Sequence, residues 1–150
     1  MVKIVSSVSE FPPHYYTQSQ ILEAARLVWN EGSAASSLER WFERVGVEGR
    51  FFSLPLEQYA EISGFGQANA QWCKSALGLG KKTLQALFGR AEMDASDISL
   101  MAFSTVTGIA IPSIDAQLMN QMPFRAELKR MPLFGFGCAS CVAGVSRVGE

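Results

Sequence analysis

The stretch that decides the fold is Met131-Pro-Leu-Phe-Gly-Phe-Gly-Cys-Ala-Ser-Cys-Val-Ala-Gly-Val145. A short apolar run suited to a buried strand ends at Gly135 and Gly137, and Cys138 then opens a small-residue segment that predicts a helix. Glycine directly before the cysteine permits a sharp strand-to-helix turn. Such a turn places the sulfur at a helix N-terminus, where unpaired backbone N–H groups favour the nucleophilic thiolate. The pattern therefore predicts that Cys138 is a catalytic nucleophile.

Two other interpretations of this cysteine stay open. A strand-Gly-Cys-helix pattern also fits a tight turn with a buried, inert thiol, because free cysteine is among the most buried residue types. Cys138 and Cys141 form a C-x-x-C, which is the spacing of a redox pair or of half a zinc site. A zinc site needs further ligands, and the remaining candidates, Cys73 and His14, are isolated and far upstream. We therefore expect no metal.

Length and composition limit the class of protein. A chain of 150 residues can form one domain with a sizeable core. The formal net charge of −1, without a cluster of Lys and Arg among aromatics, argues against nucleic-acid binding. Three cysteines without scaffold spacing fit a reducing compartment. No segment has the length of a secretory h-region or a membrane span, so we expect a soluble cytoplasmic protein.

Hydrophobic periodicity predicts the elements upstream of residue 100. Trp41 is expected to pack in the core, and His14 is expected in a loop after the first strand. The predicted elements are a strand over Val2–Val8, a helix capped within Tyr16–Ser19 and running to Gly32, a helix over Ser37–Val45, an extended piece over Gly46–Pro55, and a long helical region over Phe65–Phe88.

The elements beyond residue 100 surround the cysteine. A strand over Leu100–Ser104 leads into a hydroxyl-rich loop over Thr105–Ser113, and a helix over Ile114–Met122 precedes the strand that ends at Cys138. Connections of this length suit parallel crossovers in an α/β sheet. Since parallel strands end at one edge, the first loop and the Gly137–Cys138 turn should lie side by side.

Two linked motifs and one upstream segment resemble a known family. They resemble the N-terminal half of the type III polyketide synthases, the chalcone and stilbene synthase family, with the bacterial alkylresorcinol and alkylpyrone branch the most similar. The resemblance covers essentially the whole chain. It implies a thiolase-like layered α/β fold (αβαβα), of which residues 1–150 would be the N-terminal part, truncated within the nucleophile helix. The segments are Phe103-Ser-Thr-Val-Thr-Gly-Ile-Ala-Ile-Pro-Ser-Ile-Asp-Ala-Gln-Leu118, Leu133-Phe-Gly-Phe-Gly-Cys-Ala139 and Arg50-Phe-Phe-Ser-Leu-Pro55.

The resemblance also implies a reaction. An acyl starter would pass from its coenzyme A thioester to Cys138, and the enolate formed by decarboxylation of malonyl-CoA would then attack it. The family needs no cofactor beyond these substrates, but it uses a histidine and an asparagine that follow the cysteine. The only histidine here is His14. We therefore expect the chain by itself to lack Claisen activity and, with half of its fold missing, to expose an apolar face and associate.

Positions that match the family's cavity and interface extend the predicted site. Thr105, Val106 and Thr107 match the hydroxyl-rich strand end beside the acyl cavity, although ordinary strand-end packing is an alternative. Val106 stands where plant members usually carry a hydroxyl, so an apolar cavity and an aliphatic starter are expected. Ile111, before Pro112, matches a residue that crosses the homodimer interface.

The resemblance suggests roles for three further residues, each with a favoured or competing structural explanation. Cys141 lies one helical turn after the nucleophile and could line the cavity, although buried packing is favoured. Arg44 and Arg50 are candidate contacts for coenzyme A phosphates, with a solvated surface charge as the alternative.

Two other functions stay open. One is a different thiolase-fold condensing enzyme, such as a ketoacyl synthase III that uses an acyl carrier protein, although the chain has no concentrated basic surface for docking it. The other is a non-catalytic truncated subunit that pairs with a complete synthase.

Overall fold

The computed structural model describes residues 3–28, 39–42 and 44–149. They divide into a larger unit, Met1–Glu10 with Asn69–Glu150, and a smaller unit, Phe11–Ala68. Residues 39–42 are helical, and single 3₁₀ turns lie at Ala95–Asp97 and Gly137–Ala139. The other elements are β1 (His14–Thr17), α1 (Gln18–Val28), β2 (Gly49–Phe52), α2 (Leu56–Tyr59), α3 (Gly64–Ala91), β3 (Leu100–Thr105), α4 (Ile114–Gln121), β4 (Lys129–Phe134) and α5 (Ser140–Val148).

The larger unit is built on a parallel pair of strands. β3 pairs with β4 over six positions, from Leu100 opposite Lys129 to Thr105 opposite Phe134. The crossover between them, residues 106–128, contains α4, as a parallel connection requires. The predicted α/β class and the predicted parallel crossover are therefore both confirmed.

The core of the larger unit lies where the crossover packs on the strands. The buried apolar residues Met101, Ile114, Leu118 and Leu128 form one cluster, and half-buried residues of α3, including Trp72, pack against it. Each deeply buried aliphatic side chain of this kind contributes roughly 1.5–3 kcal/mol to folding. The predicted helical rhythm of α3 is thus confirmed as a core-facing pattern.

Helix α3 runs without a break past two glycines. Gly78 and Gly80, a residue type that weakens helices, lie inside the 28-residue helix. A Cβ at Gly80 would lie 3.2 Å from Cδ1 of Leu118, so this glycine allows α3 to approach α4 closely. Within the described residues, no helix is both long and apolar enough to span a membrane.

The smaller unit contains an antiparallel strand pair and an aromatic cluster. β1 pairs with β2 from His14 opposite Phe52 to Thr17 opposite Gly49. Rings of the two strands and their neighbours are in contact, for example Phe11 stacked on Phe51 with centroids 4.6 Å apart. Such pairs contribute about 0.5–1.5 kcal/mol beyond their buried area.

The start of α1 is capped as the sequence predicts. Gln20 donates its backbone N–H to Oγ1 of Thr17 at 3.3 Å, and the Thr17 N–H donates to Oε1 of Gln20 at 2.9 Å. This reciprocal pair is a capping box, which satisfies two otherwise unpaired donors. The predicted end of this helix at Gly32 lies outside the described residues.

Two predictions for the N-terminal residues are wrong. Residues 3–8 form no strand, and the side chain of Ile4 is 79% exposed. A β-branched pattern needs a neighbouring strand to pair its backbone groups, and no described strand pairs with these residues. His14, expected in a loop, lies in β1 instead, because its aromatic-rich segment pairs with β2.

The prediction of a core position for Trp41 is also wrong. Its side chain is 73% exposed, although residues 39–42 are helical as expected. Periodicity identifies an apolar helix face, but it does not supply the surface that covers it. Residues 37, 38 and 43 of the predicted helix lie outside the described part of the chain.

Replacing each of two glycines of the larger unit by alanine should have opposite effects on the free energy of unfolding. A Cβ at Gly108 would collide with the indole ring of Trp72, whereas a Cβ at Gly144 would lie 3.5 Å from Cδ1 of Leu133, an ordinary contact. Gly108→Ala should therefore lower the free energy of unfolding by about 1–3 kcal/mol. Gly144→Ala, inside α5, should leave it unchanged or raise it by about 0.5–1 kcal/mol.

Urea unfolding of both variants and the wild type tests this pair. Equal stability of Gly108→Ala and the wild type would contradict the described packing of Trp72 on the loop.

Candidate active site

Cys138 lies in a sharp turn between β4 and α5. Gly135 and Gly137 have φ values of +84° and +57°, a region that favours glycine, and Cys138 follows in the 3₁₀ turn Gly137–Ala139. The predicted strand-to-helix turn is therefore present. Cys138 is exposed and its thiol is free. The interpretation as a buried cysteine is thus wrong, because the turn directs the residue out of the packed face.

Cys141 is also exposed and free, so the favoured buried position for it is wrong. Helix α5 turns a different face inward, since its buried residues are Ser140 and Gly144, four positions apart. Residues four apart lie on one helical face, and the next residue along is rotated away from it. Cys141 therefore keeps access to the adjoining cavity.

A cavity of about 570 Å³ lies at the carboxyl end of β3 and beside α5. It brings together four of the predicted cavity residues, Thr105, Val106, Thr107 and Cys141. The set that lines it is mainly apolar: Trp72, Ala76, Leu79, Gly80, Thr83, Leu84, Met101, Ala102, Phe103, Ser104, Thr105, Val106, Thr107, Leu118, Ser140 and Cys141. Cys138 is outside this set and precedes Ser140 by two residues. The loop and the cysteine turn thus meet at one edge of the strand pair, as the parallel topology predicts.

The hydroxyls at this edge are arranged by the backbone. The Thr107 N–H donates to Oγ1 of Thr105 at 3.3 Å, and the two hydroxyl oxygens are 3.4 Å apart. Val106 lies between them in sequence and is 51% exposed. The cavity mouth therefore combines two neighbouring hydroxyls with one exposed aliphatic side chain.

Asn69 of α3 fixes the loop that follows these hydroxyls. Its Nδ2 donates to the carbonyl oxygen of Ile109 at 2.8 Å, and its Oδ1 accepts the Ile109 N–H at 2.8 Å. The side chain thereby pairs with both backbone groups of one residue, as a neighbouring strand would. Cys73 adds a weaker contact, with Sγ 3.7 Å from the same carbonyl oxygen. The loop is thus attached to the core helix rather than free.

Ile111 is held at the tip of this loop. Its side chain is 94% exposed, and the peptide bond to Pro112 is cis. Such exposure of a large apolar side chain forgoes the free energy that its burial would give. Ile111 does not line the cavity of its own chain.

The two predicted arginines lie in the smaller unit. Arg44 lines a cleft of about 410 Å³ together with Arg40, Trp41 and Val45. Arg50, in β2, donates from Nε to Oε1 of Gln18 at 3.4 Å. Arg50 is therefore not among the described residues that line the cleft of Arg44. Among residues 3–28, 39–42 and 44–149, no group of three or more His, Cys, Asp or Glu side chains is arranged to hold a metal ion.

Comparison with known proteins identifies what this arrangement is similar to. The chain is 41% identical over 138 residues to the 1,3,6,8-tetrahydroxynaphthalene synthase of Streptomyces peucetius subsp. caesius, covering 91% of this chain and 37% of that protein. It matches the crystal structure of the synthase of that name from Streptomyces coelicolor A3(2), a bacterial type III polyketide synthase, with a TM-score of 0.85 and 28% identity. The chain is related to the type III polyketide synthases.

The structural match to this family also settles the fold. The Streptomyces coelicolor structure is matched over 93% of this chain and 40% of its own length. CsyB complexed with CoA-SH matches with a TM-score of 0.81 and 17% identity, over 93% of this chain and 38% of that one. The thiolase-like layered fold is confirmed. The chain spans about two fifths of the length of the synthases it matches, and no family model matches the sequence. The names of the matched proteins do not show whether the chain belongs to the alkylresorcinol and alkylpyrone branch. That assignment stays a prediction.

Sequence reasoning missed two residues that shape the site. Asn69 is unfavourable inside a helix because its amide competes with backbone hydrogen bonds, and this was the available signal for a special role. Ser140 lies in the small-residue segment that predicts the helix, and its hydroxyl donates to the carbonyl oxygen of Gly137 at 2.7 Å. Local sequence pattern could not identify the hydrogen-bond partner of either residue.

Replacing Asn69 should loosen the loop over the cavity. Asn69→Ala removes both hydrogen bonds to Ile109, and Asn69→Asp keeps the acceptor but loses the donor. We expect each variant to lower the free energy of unfolding by about 1–3 kcal/mol and to speed amide hydrogen exchange at Ile109.

Gln71→Ala is the matched control, since Gln71 donates to Oγ of Ser75 within the same helix, at 3.2 Å, and does not contact the loop through a described hydrogen bond. Hydrogen exchange followed by mass spectrometry should show protection lost around Ile109 in the Asn69 variants alone. Unchanged protection there in Asn69→Ala would refute the anchoring role.

Proposed function

We propose that residues 1–150 are the N-terminal, nucleophile-bearing part of a type III polyketide synthase, an acyltransferase that takes acyl groups from coenzyme A thioesters. The observation that carries this proposal is the exposed, free thiol of Cys138 in a glycine turn beside an apolar cavity. The relationship to tetrahydroxynaphthalene synthases supports it. The chain spans about two fifths of those proteins, and this supports its being one part of such an enzyme.

Cys138 would act first as the acyl acceptor. The sulfur of Cys138 forms a bond to the carbonyl carbon of the acyl-CoA, and the bond from that carbon to the coenzyme A sulfur breaks. Coenzyme A leaves as a thiolate and takes up a proton. An exposed thiol is required for this step, because the acyl donor is large and must reach the sulfur.

The condensation would follow on the acylated cysteine. Malonyl-CoA loses carbon dioxide, and the electrons of the broken bond form an enolate. The enolate carbon attacks the acyl carbonyl, and Cys138 leaves again as a thiolate. The enolate and the oxyanion that develop during this condensation require hydrogen-bond donors. In the family these are a histidine and an asparagine, which we propose are supplied from outside residues 1–150, so the isolated chain should not complete the cycle.

The cavity would receive the growing acyl chain. Its mainly aliphatic and aromatic lining suits a hydrocarbon, and the hydroxyls of Thr105 and Thr107 suit the polar carbonyl end. At this position a hydroxyl would favour the polar groups of an aromatic starter, whereas Val106 adds apolar surface. This favours an aliphatic starter, with Cys141 as part of the wall.

The cleft in the smaller unit is the proposed contact for the coenzyme A portion. Guanidinium groups bind phosphate oxygens well, and Arg44 shares its cleft with the exposed ring of Trp41, a surface on which a base can stack. Arg50 is a second proposed phosphate contact, although its contact with Gln18 must be exchanged for the ligand.

We further propose that the whole synthase acts as a homodimer through the loop that carries Ile111. The support is the exposure of this side chain on a loop that Asn69 holds in place. Burial against a partner would remove an apolar side chain from water at a gain of about 1.5–3 kcal/mol per copy.

Single-turnover acylation tests the proposed function. The full chain is incubated with a radiolabelled long-chain acyl-CoA, and Cys138→Ala is compared with the matched control Cys141→Ala. We expect label on the wild type and on Cys141→Ala, its release by neutral hydroxylamine as for a thioester, and at least a tenfold loss of label in Cys138→Ala.

Equal labelling of Cys138→Ala and the wild type would refute the assignment of the nucleophile. Absence of label from all three proteins would instead favour a non-catalytic subunit.

A further inference from the structure

The carbonyl of Gly137 receives two hydrogen bonds from one residue. Ser140 donates its backbone N–H to this oxygen, closing the 3₁₀ turn, and its hydroxyl donates to the same oxygen at 2.7 Å. The residue is only 7% exposed, so water competes weakly for the hydroxyl. Both lone pairs of the Gly137 oxygen are therefore occupied by a single, buried partner.

This arrangement controls the peptide that carries the cysteine. The peptide between Gly137 and Cys138 is planar, so fixing its carbonyl oxygen also fixes the direction of the Cys138 N–H and the position of the Cys138 Cα. Gly137, at φ +57°, can leave this conformation easily because glycine has several alternatives. The turn therefore depends on a restraint from outside the glycine itself.

We propose that Ser140 is a positioning residue, which acts through Gly137 to hold Cys138 in the conformation that presents its sulfur. The proposal rests on the proposed role of Cys138 as nucleophile. Serine often bonds back to a carbonyl three or four residues earlier in a helix. Here the acceptor belongs to the peptide of the candidate nucleophile, so the bond bears on reactivity as well as on helix geometry.

The orientation of Ser140 also limits what it can offer to a substrate. Its hydroxyl has one proton, which is committed to Gly137, although the residue lines the cavity. Towards the cavity it can only accept a hydrogen bond. It is therefore not a donor to the acyl carbonyl, and its contribution comes through the turn.

The test measures the reactivity of Cys138 in three forms of the full chain: wild type, Ser140→Ala and Ser140→Thr. Iodoacetamide is the probe, and peptide mass spectrometry separates Cys138 from Cys73 and Cys141. We expect Ser140→Ala to slow the alkylation of Cys138 about fivefold, while Cys73 reacts at the wild-type rate. Ser140→Thr keeps the hydroxyl and should restore most of the rate.

A second measurement separates positioning from loss of structure. Thermal unfolding should show that Ser140→Ala remains folded. Hydrogen exchange should show that amide protection is lost only in the proteolytic fragment that includes Gly137 and Cys141. A Cys138 rate in Ser140→Ala within twofold of the wild type, with unchanged protection, would overturn the proposal whether or not Ser140→Thr folds.

The same variants distinguish this proposal from the proposed function. If Cys138 alkylation depends on Ser140 but wild-type Cys138 takes no acyl group from acyl-CoA, the positioning role stands and the acyltransferase role fails. If Ser140→Ala is acylated and alkylated as fast as the wild type, the reverse holds.

Discussion

The parallel pairing of β3 with β4 is the constraint on which the site depends. Six paired positions align the two strands so that both end at one edge, with Thr105 opposite Phe134. The loop after β3 and the turn after β4 must then meet there. Cys138 and the threonines that flank Val106 are about 30 residues apart in the chain, and without this pairing they would have no reason to lie at one edge.

The crossover between these strands is held from two sides. On the apolar side, Ile114 and Leu118 of α4 are buried against Met101 and Leu128. On the polar side, the fully buried Asp115 accepts a hydrogen bond from Nη1 of Arg130 in β4, with Oδ2 2.9 Å away. The side chain of Arg130 is 36% exposed, so the pair adds little net stability, but removing Arg130 leaves the buried carboxylate of Asp115 without its ion-pair partner. The pair therefore fixes the position of α4 on β4, and with it the end of the loop that precedes α4.

Local pattern predicted the elements whose own sequence signal is strong. β3, α4, β4 and the glycine turn before Cys138 were predicted because strand alternation, helical periodicity and glycine position are strong there. The thiolase-like fold followed from the linked motifs. The predicted strand at residues 3–8 and the buried Trp41 failed for one reason, since each requires a covering surface that the described residues do not supply. His14 was misplaced because its four-residue strand carries little signal of its own and pairs with β2, 32 to 38 positions away.

The finer features of the site depend on contacts that local pattern does not contain. Asn69 meets Ile109 across 40 residues, and the exposure of Cys141 follows from which face of α5 packs on the strands. The role of Ser140 depends on the direction of one hydroxyl, which composition cannot reveal. Sequence thus predicted four of the residues that line the cavity, and the structure shows which contacts hold its edge.

A cross-linking measurement tests the shared edge most directly. In a background with Cys73→Ser and Cys141→Ser, Cys138 is offered a short bis-maleimide together with either Val106→Cys, after β3, or Ser99→Cys, before it. Neighbouring strands are about 5 Å apart, whereas the two ends of a six-residue strand are about 20 Å apart. The parallel arrangement predicts efficient cross-linking of Cys138 to position 106 and little to position 99. Efficient cross-linking to position 99 instead would contradict the pairing on which the site is built.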